Sequence, residues 1–578
     1  MQAFSGAGQE AVVVTLVVAR VIIGLLGAPL VGSLRNEAKG LAIVTAASMF
    51  VEFASKGGTK LRRWQLRRTQ APGILLGSVT LPIVMASRLL QILRMPQHSQ
   101  AALERARVEL WGSLACGCAM LLLLGGLVLW QSDDKDQKQL NNNRDQTDLS
   151  VDCKQRGRWG PECCSSVIGI AGPAVILVSE LGFTTGTWRI IWCLTHALGC
   201  AALFQHLLQA FPGCLSVGEA ILVSQGLTLY AGNALIFTLS RITILNGLPE
   251  FLMERTGDEI HAIGQALVLG LLLVPVSYKT LLRGLSLKVS NGAVKKGPCM
   301  EDVTKVFLFF ATVLLVVFLV APYWLQLVQR LPHHPVLWVL NFVLEEPEAR
   351  LGLCVYWMLA ICLPILALYR MVVKKQVARI MVRKGFHLMV VIMFVPALFF
   401  QPDFLRLALS LAFAAFLVIE MIRVWQIPPF GEAVHRFLKA FTDSRDSDLL
   451  IVSHFSLLLG CAVPVWLSTS PFMDRPLAPY AGILSLGIGD TMASVIGYNF
   501  GSVRLSSSSN KTVEGTIAGI VSMIVACLLL VPVTSTALSA AQFCSLVGAC
   551  IGAGLVEAYT SQLDNAFVPL IFYALLSL

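Results

Sequence analysis

Asp490 stands in the stretch Leu486-Gly487-Ile488-Gly489-Asp490-Thr491-Met492-Ala493-Ser494-Val495-Ile496-Gly497, which is otherwise apolar. A carboxylate in such surroundings needs a partner of opposite charge, and a divalent cation would serve. On a helix, Asp490, Ser494, Gly497 and Gly501 share one small, polar face at i, i+4, i+7 and i+11. Gly497 and Gly501 alone would fit a helix-packing seam, but packing does not explain Asp490. Farther on, Ser506-Ser507-Ser508-Ser509-Asn510-Lys511-Thr512-Val513-Glu514-Gly515-Thr516 leads a Ser-rich loop into an apolar run. Loop amides, hydroxyls and one Lys at a helix N-terminus suit phosphate. Glu514 could join Asp490 on a metal. Two plainer readings stand beside this one. Thr512 to Gly515 reads as a helix start, and Asn510-Lys511-Thr512 reads as a glycosylation sequon. A sequon needs the lumenal side and a nucleotide loop the cytosolic side, so these two exclude each other, and the residues favour phosphate. The P-loop pattern G-x-x-x-x-G-K-[ST] is absent, as are H-R-D and D-F-G, so any nucleotide is bound by a different scheme.

Three further clusters carry suitable side chains. Lys374, Lys375, Arg379, Arg383 and Lys384 form a basic stretch, with Lys375, Arg379 and Arg383 at steps of four, and His387 follows. Binding of anionic lipid heads is the plain alternative there. His387, beside Arg383 and Lys384 at the start of an apolar run, is a candidate phosphate ligand. The segment Thr442–Asp448 packs Asp443, Arg445, Asp446 and Asp448 together, able to hold a cation, orient a base or simply face water. Just upstream, Glu420 and Arg423 are spaced to pair on one helix. Glu557-Ala558-Tyr559 is followed by Asp564-Asn565, a hard-oxygen pair suited to Mg²⁺ or to a helix cap. Carboxylates, lysines, arginines and small residues are the types phosphoryl transfer requires. The acceptor would be lipid-soluble, because these clusters lie among apolar runs.

The elements that must position them are membrane helices. Of 578 residues, 56% are hydrophobic and 13% charged. Soluble domains carry about 25% charged residues. Mean hydropathy is +0.73. Such a composition excludes a soluble globular enzyme, a disordered chain and a disulfide scaffold. Apolar runs of about 18–25 residues, enough to cross ~30 Å of hydrocarbon, recur throughout. Clear runs include 11–33, 72–92, 108–130, 166–185, 261–282, 303–328, 404–422 and 513–535, and weaker ones include 40–55, 218–245 and 477–499. The expectation is an all-α, polytopic membrane protein with roughly 14–17 transmembrane helices. Residues 131–165 read as a mobile polar loop. Residues 1–370 read as an N-terminal multi-span region whose acids are few and isolated. Polar groups concentrate after that point, so 371–578 reads as the catalytic membrane domain. The net charge of +10 fits Lys and Arg flanking helices on a cytosolic face and does not indicate nucleic acid. Most of the fifteen cysteines lie in apolar runs as small hydrophobes, while Cys153, Cys163 and Cys164 share the polar loop.

Read in order, these blocks resemble the dolichol kinase family, within the polyprenol kinases. The likeness rests on Arg383-Lys384-x-x-His387, Asp443-x-Arg445-Asp446, Gly487-x-Gly489-Asp490-Thr491-x-Ala493-Ser494, Lys511-Thr512-x-Glu514-Gly515-Thr516 and Glu557-Ala558-Tyr559 with Asp564-Asn565. It covers about residues 330–578, with Ser216-Val217-Gly218-Glu219-Ala220 as a further element upstream. The resemblance implies transfer of the γ-phosphate of CTP to the terminal hydroxyl of dolichol. The product, dolichyl phosphate, serves protein glycosylation and GPI-anchor synthesis. It also implies an endoplasmic reticulum membrane, a CTP site facing the cytosol, and Mg²⁺ or another divalent cation. The implied CTP-binding set is Gly487, Gly489, Asp490, Thr491, Ser494, Gly497, Lys511, Thr512, Glu514, Gly515 and Thr516, with Arg383 and Lys384 balancing the triphosphate. Asp490, with Glu514 or Asp564, would bind the metal. Asp446 or His387 would accept the hydroxyl proton, beside Asp490 and Lys511 as catalytic groups. The four serines before Lys511 depart from the family pattern.

Other readings remain at this point. A phytol or farnesol kinase would carry the same blocks, but those relatives are much shorter. A phosphatidate cytidylyltransferase would transfer CMP, and its signature differs from the Glu557–Asn565 block. A transporter would show an internal repeat, and none is visible.

Overall fold

Inside a bilayer a chain satisfies its own backbone groups, so apolar runs of this length become helices. The computed structural model describes residues 6–27, 34–55, 66–67, 69, 71–95, 100–141, 187–241, 258–285, 300–373, 379–439, 442, 446–468, 475–505, 511–534 and 539–578. Among the described residues the regular structure is helical, apart from one isolated antiparallel bridge between Arg504 and Thr512. Eleven described helices are long and apolar enough to cross a membrane, and three shorter apolar helices accompany them. The chain is thus an all-α, multi-pass membrane protein. Two expectations shift in detail. The helix begun at Gln100 runs on to Asn141, into the stretch read as polar loop. The weak run 477–499 is not one α-helix, but a short 3₁₀ turn, a π-helical stretch and an α-helix. The run 166–185 and Cys153, Cys163 and Cys164 lie outside the described residues.

The chain divides into two compact units. The first comprises Met1–Gly232, Tyr559–Gln562 and Leu578. Its helices are α1 (Gly6–Leu26), α2 (Arg35–Ala54), α3 (Ile74–Arg94), α4 (Gln100–Asn141), α5 (Thr187–Ala210) and the start of α6 (Val217–Leu239). α3 is almost wholly buried, packed by α1, α2 and α4. Several acids of this region, which the sequence suggested were isolated, are paired across helices. Glu109 on α4 meets Arg88 on α3 at 2.7 Å, Glu104 on α4 meets Arg189 on α5 at 2.6 Å, and Glu37 on α2 meets Arg107 at 3.3 Å. Glu52 accepts the backbone N–H groups of Gly73 (3.3 Å) and Leu75 (3.0 Å), satisfying the start of α3. Ser216 and Glu219 form a reciprocal capping box at the start of α6, at 2.9 and 3.2 Å. Arg67 pairs with Glu219, and Gln562 accepts from the Ser216 hydroxyl while donating to Ala71 O.

The second unit comprises Asn233–Ala558 and Leu563–Ser577. It runs through α7 (Glu259–Gly284), α8 (Met300–Leu315), a π turn (Val316–Val320), α9 (Ala321–Gln329), α10 (Pro335–Glu345) and α11 (Pro347–Val373). Then come α12 (Arg379–Phe400), α13 (Pro402–Val424), α14 (Gly431–Lys439) and α15 (Val452–Leu467). The π-helical stretch Ile483–Asp490 leads into α16 (Thr491–Phe500), α17 (Val513–Leu530), α18 (Ala540–Tyr559) and α19 (Asp564–Leu576). One core gathers Leu271, Val274 and Tyr278 of α7 with Phe309 of α8 and Met421 of α13.

Candidate active site

The site is built where α12 meets the π-helical stretch. Lys384 and His387 are three apart, so one turn of α12 puts them on the same face. π-helical turns are rare and concentrate at functional sites, and this one ends on Asp490. Gly487 sets the approach: a Cβ there would run into Val391 Cγ2 and lie 3.2 Å from His387 O. With the backbones this close, Asp490 Oδ2 lies 2.5 Å from Lys384 Nζ and 3.0 Å from His387 Nδ1. The Lys384 and Asp490 side chains are each 6% exposed and that of His387 4%. His387 Nδ1 also faces Leu486 O at 3.2 Å. A ring nitrogen turned to two acceptors carries a proton, so Nδ1 is the donor.

The small residues after Asp490 form a helix seam. A Cβ on Gly515 would lie 2.5 Å from Ala493 O, one on Gly519 3.0 Å from Gly489 O, and one on Gly497 2.9 Å from Thr512 Oγ1. Close approach of α17 to α16 and to the π-helical stretch before it therefore accounts for Gly489, Gly497 and Gly515. Thr512 caps α17 by accepting the Gly515 N–H at 3.2 Å. The chain enters α17 through a narrow antiparallel pairing, Val513 N to Val503 O at 2.9 Å and Leu505 N to Lys511 O at 3.0 Å. Glu514 braces that pairing: its Oε1 accepts from Ser502 N and Val503 N, each at 3.1 Å, and from the Ser502 hydroxyl. Lys511 Nζ reaches the other way and donates to Glu557 O on α18. α18 lies tightly on α17 because a Cβ at Gly554 would run into Ile520. The Glu557 carboxylate, buried near the end of α18, is acted on by the charges of Asp490, Lys511, Lys384 and Asp564. Those five groups share one neighbourhood. Beside Asp564, Asn565 is 4% exposed, and among the described residues its Oδ1 has no hydrogen-bond partner.

A second polar cluster adjoins along α12. Asp446 accepts from Ser453 N at 2.9 Å and Ser453 Oγ at 2.6 Å, fixing the first turn of α15. Glu420 holds Arg423 through two hydrogen bonds of 2.8 and 2.7 Å, the helix pair the spacing predicts. Arg423 also donates to Asp448 O at 2.8 Å, and Glu420 accepts from Ile451 N at 3.0 Å. His454 on α15 sits in the field of Asp446, Glu420, Arg383 and Arg423. Arg383 precedes Lys384, so α12 links the two clusters.

Lys384, His387, Asp490, Lys511 and Asp564 are therefore brought together, while the carboxylates of Asp446 and Glu514 are engaged by Ser453 and by Ser502–Val503. Thr491 Oγ1 turns to Leu486 O at 3.5 Å, Thr516 Oγ1 to Thr512 O at 3.0 Å, and Ser494 is half-buried. Lys374, Lys375, Asp443, Arg445 and Ser506–Asn510 lie outside the described residues. The structure adds His454, and it sets the Glu557 carboxylate, which the sequence named only as part of the Glu557–Asn565 block, beside Asp490. Glu557 carried the same signal as Asp490, an acid in an apolar run. A single His in an apolar helix carries no signal at all.

A family model described as dolichol kinase matches residues 157–551. The chain is 41% identical over 578 residues to Dolichol kinase EVAN of Arabidopsis thaliana, covering 98% of each. It is 31% identical over 424 residues to the dolichol kinase of Homo sapiens, covering 71% of this chain and 73% of the human one. Dolichol kinase sec59 of Schizosaccharomyces pombe is 32% identical over 292 residues, covering 48% of this chain and 56% of its own. No solved structure matches. The chain belongs to the dolichol kinase family.

Proposed function

We propose that this chain transfers the γ-phosphate of CTP to the terminal hydroxyl of dolichol, giving dolichyl phosphate. On this reading it works in the endoplasmic reticulum membrane with its CTP site facing the cytosol, and its product serves protein glycosylation and GPI-anchor synthesis. The observation that carries the reading is Asp490, buried among apolar helices, held by Lys384 and His387, with Lys511, Glu557 and Asp564 around it. Phosphoryl transfer needs charge neutralisation and positioning more than covalent help. Lys511, at the entry to α17, and Lys384, with Arg383 beside it, supply positive charge for the triphosphate. Lys511 would exchange the Glu557 carbonyl for a phosphate oxygen. His387, with Nδ1 protonated and fixed between two oxygens, orients Asp490. Asp446 remains the alternative group to receive the hydroxyl proton, from the adjoining cluster.

A divalent cation fits the donor set. Among the described residues Asn565 Oδ1 is a buried acceptor without a donor, next in sequence to Asp564, whose charge acts on Glu557. Among the described residues no three His, Cys, Asp or Glu side chains form a ready metal site. That suits Mg²⁺, which commonly takes one or two carboxylates and completes its shell with water and substrate phosphates. Asp490, Asp564 and Asn565 would hold it, and it would neutralise charge on the phosphates. Glu514, turned to Ser502 and Val503, is the least available of the expected ligands.

The test is lipid phosphorylation in membranes of cells lacking their own dolichol kinase, with dolichol, Mg²⁺ and CTP labelled at the γ or the α position. Label entering lipid from γ-CTP only, and lost in Lys511→Ala, is expected. Label from α-CTP would mean cytidylyl transfer. A correctly inserted protein that labels phytol or farnesol but not dolichol would overturn the substrate.

A further inference from the structure

α14 is both short and three-sided. Its nine residues extend about 13.5 Å, too little to cross ~30 Å of hydrocarbon. Six residues separate it from α13, a candidate span, so it begins where that span ends. At about 100° per residue its side chains fall into three strips. Gly431, Val434 and Leu438 form the inward strip, buried or half-buried, by which the helix packs on α13. Glu432, Arg436 and Lys439 form an exposed charged strip, with Glu432 and Arg436 3.7 Å apart. Phe430, Ala433 and Phe437 form the third, apolar and facing outward, with Phe430 56% and Phe437 40% exposed. The exposed Pro428 and Pro429 extend this apolar strip toward α13, whose own Leu411, Ile419 and Val424 are exposed.

We propose that α14 is an in-plane membrane anchor, with Phe430, Ala433 and Phe437 inserted at the boundary of headgroups and acyl chains. Two observations favour lipid as the occupant. The apolar strip follows within six residues the exposed Val424 that ends a spanning helix, and the bases Arg436 and Lys439 share the helix with it where lipid phosphates would be. Aromatic residues on one side and bases on the other are the pattern of interfacial helices. The anchor also sets a depth. Lys439 reaches Asp448 at 3.4 Å, and His435 and Lys439 line a small cleft with Arg423 and Asp446. Seated at the headgroups, that cleft would lie level with the hydroxyl of a membrane alcohol. This last step rests on the lipid-alcohol reading above, whereas the anchor does not.

The experiment uses the full chain in phosphatidylcholine–phosphatidylserine vesicles, with an environment-sensitive fluorescent amino acid replacing Ala433, Phe437 or Glu432. Quenching by lipids brominated high in the acyl chain is compared with quenching by aqueous iodide. Labels at 433 and 437 should be quenched by brominated lipid several-fold more than the label at 432 and be shielded from iodide. The small side chain at 433 keeps the test valid if the Phe437 variant misfolds. Iodide reaching all three equally would overturn the anchor. So would shielding of 433 and 437 from both quenchers, which would mean a protein covers the strip. Neither readout needs turnover, so a failed kinase assay leaves this result standing.

Discussion

Lys384→Met probes the centre of the site most directly. Lys384 Nζ lies 2.5 Å from Asp490 Oδ2, with both side chains 6% exposed. Removing one partner of a buried ion pair leaves an uncompensated charge and costs about 3–5 kcal/mol. His387 remains 3.0 Å from the same oxygen and compensates in part. The loss should therefore fall at the lower end, about 3 kcal/mol. Adding Asp490→Asn removes the charge left behind, and replacing both members of a buried pair is often close to neutral. The double variant should thus recover most of its stability. It should not recover activity: loss of a preorganised charge at a reacting centre costs about 10²–10³-fold. The assay is thermal unfolding of the parent, both single variants and the double variant in one detergent, with lipid phosphorylation on the same preparations. The cycle isolates the pair term. A Lys384→Met protein as stable as the parent would refute the buried pair. A stable double variant with full activity would reduce the pair to scaffolding.

Three other perturbations separate packing from chemistry. Gly487→Ala forces a methyl into Val391 and should cost about 1–3 kcal/mol, with Val391→Ala restoring part of the melting temperature. Lys511→Ala should lower kcat/KM for the nucleotide by about 10²-fold; an unaltered nucleotide KM and kcat would remove it from the phosphate site. Asn565→Leu removes an acceptor that has no donor, so it should not destabilise the fold, yet it should raise the Mg²⁺ concentration needed for half-maximal activity; an unchanged Mg²⁺ curve would exclude Asn565 as a ligand.

The fold class was legible because hydrophobic length is a strong signal and the bilayer leaves one way to satisfy the backbone. Asp490, Lys384 and His387 could be singled out individually, and the i, i+3 spacing of the last two placed them on one face. Their union with Asp490 was not legible. It depends on a π-helical stretch and on Gly487, whose missing side chain lets two backbones meet across about a hundred residues of sequence. The same limit explains the glycines. Gly489, Gly497 and Gly515 sit in a block that reads as a nucleotide loop, and in three dimensions each is a point of helix contact. Glu514 reads as a metal ligand by proximity to Lys511, but the backbone pairing of 503 with 513 turns its carboxylate to Ser502 and Val503. In the first unit, the acids looked isolated because each partner lies on another helix, as with Glu109 and Arg88.

The balance of charge gives the arrangement its chemical sense. Asp490, Glu557 and Asp564 bring three carboxylates into one neighbourhood, against two lysines and the N–H of His387. Lys384 is already committed to Asp490, and Lys511 donates to a backbone carbonyl. Both lysines are therefore already engaged before a ligand arrives. A triphosphate would add several more negative charges to this buried region. On the proposed reading, such a ligand enters only with its own cation, and the acids then act as the cation's anchors instead of the nucleotide's repellers. The orphan oxygen of Asn565 points to the same conclusion from the neutral side: a buried acceptor without a donor is costly unless something positive arrives to meet it. On that reading, acids, an unmatched amide oxygen and the two lysines, a poor nucleotide pocket by themselves, would become a coherent one with a hard divalent ion.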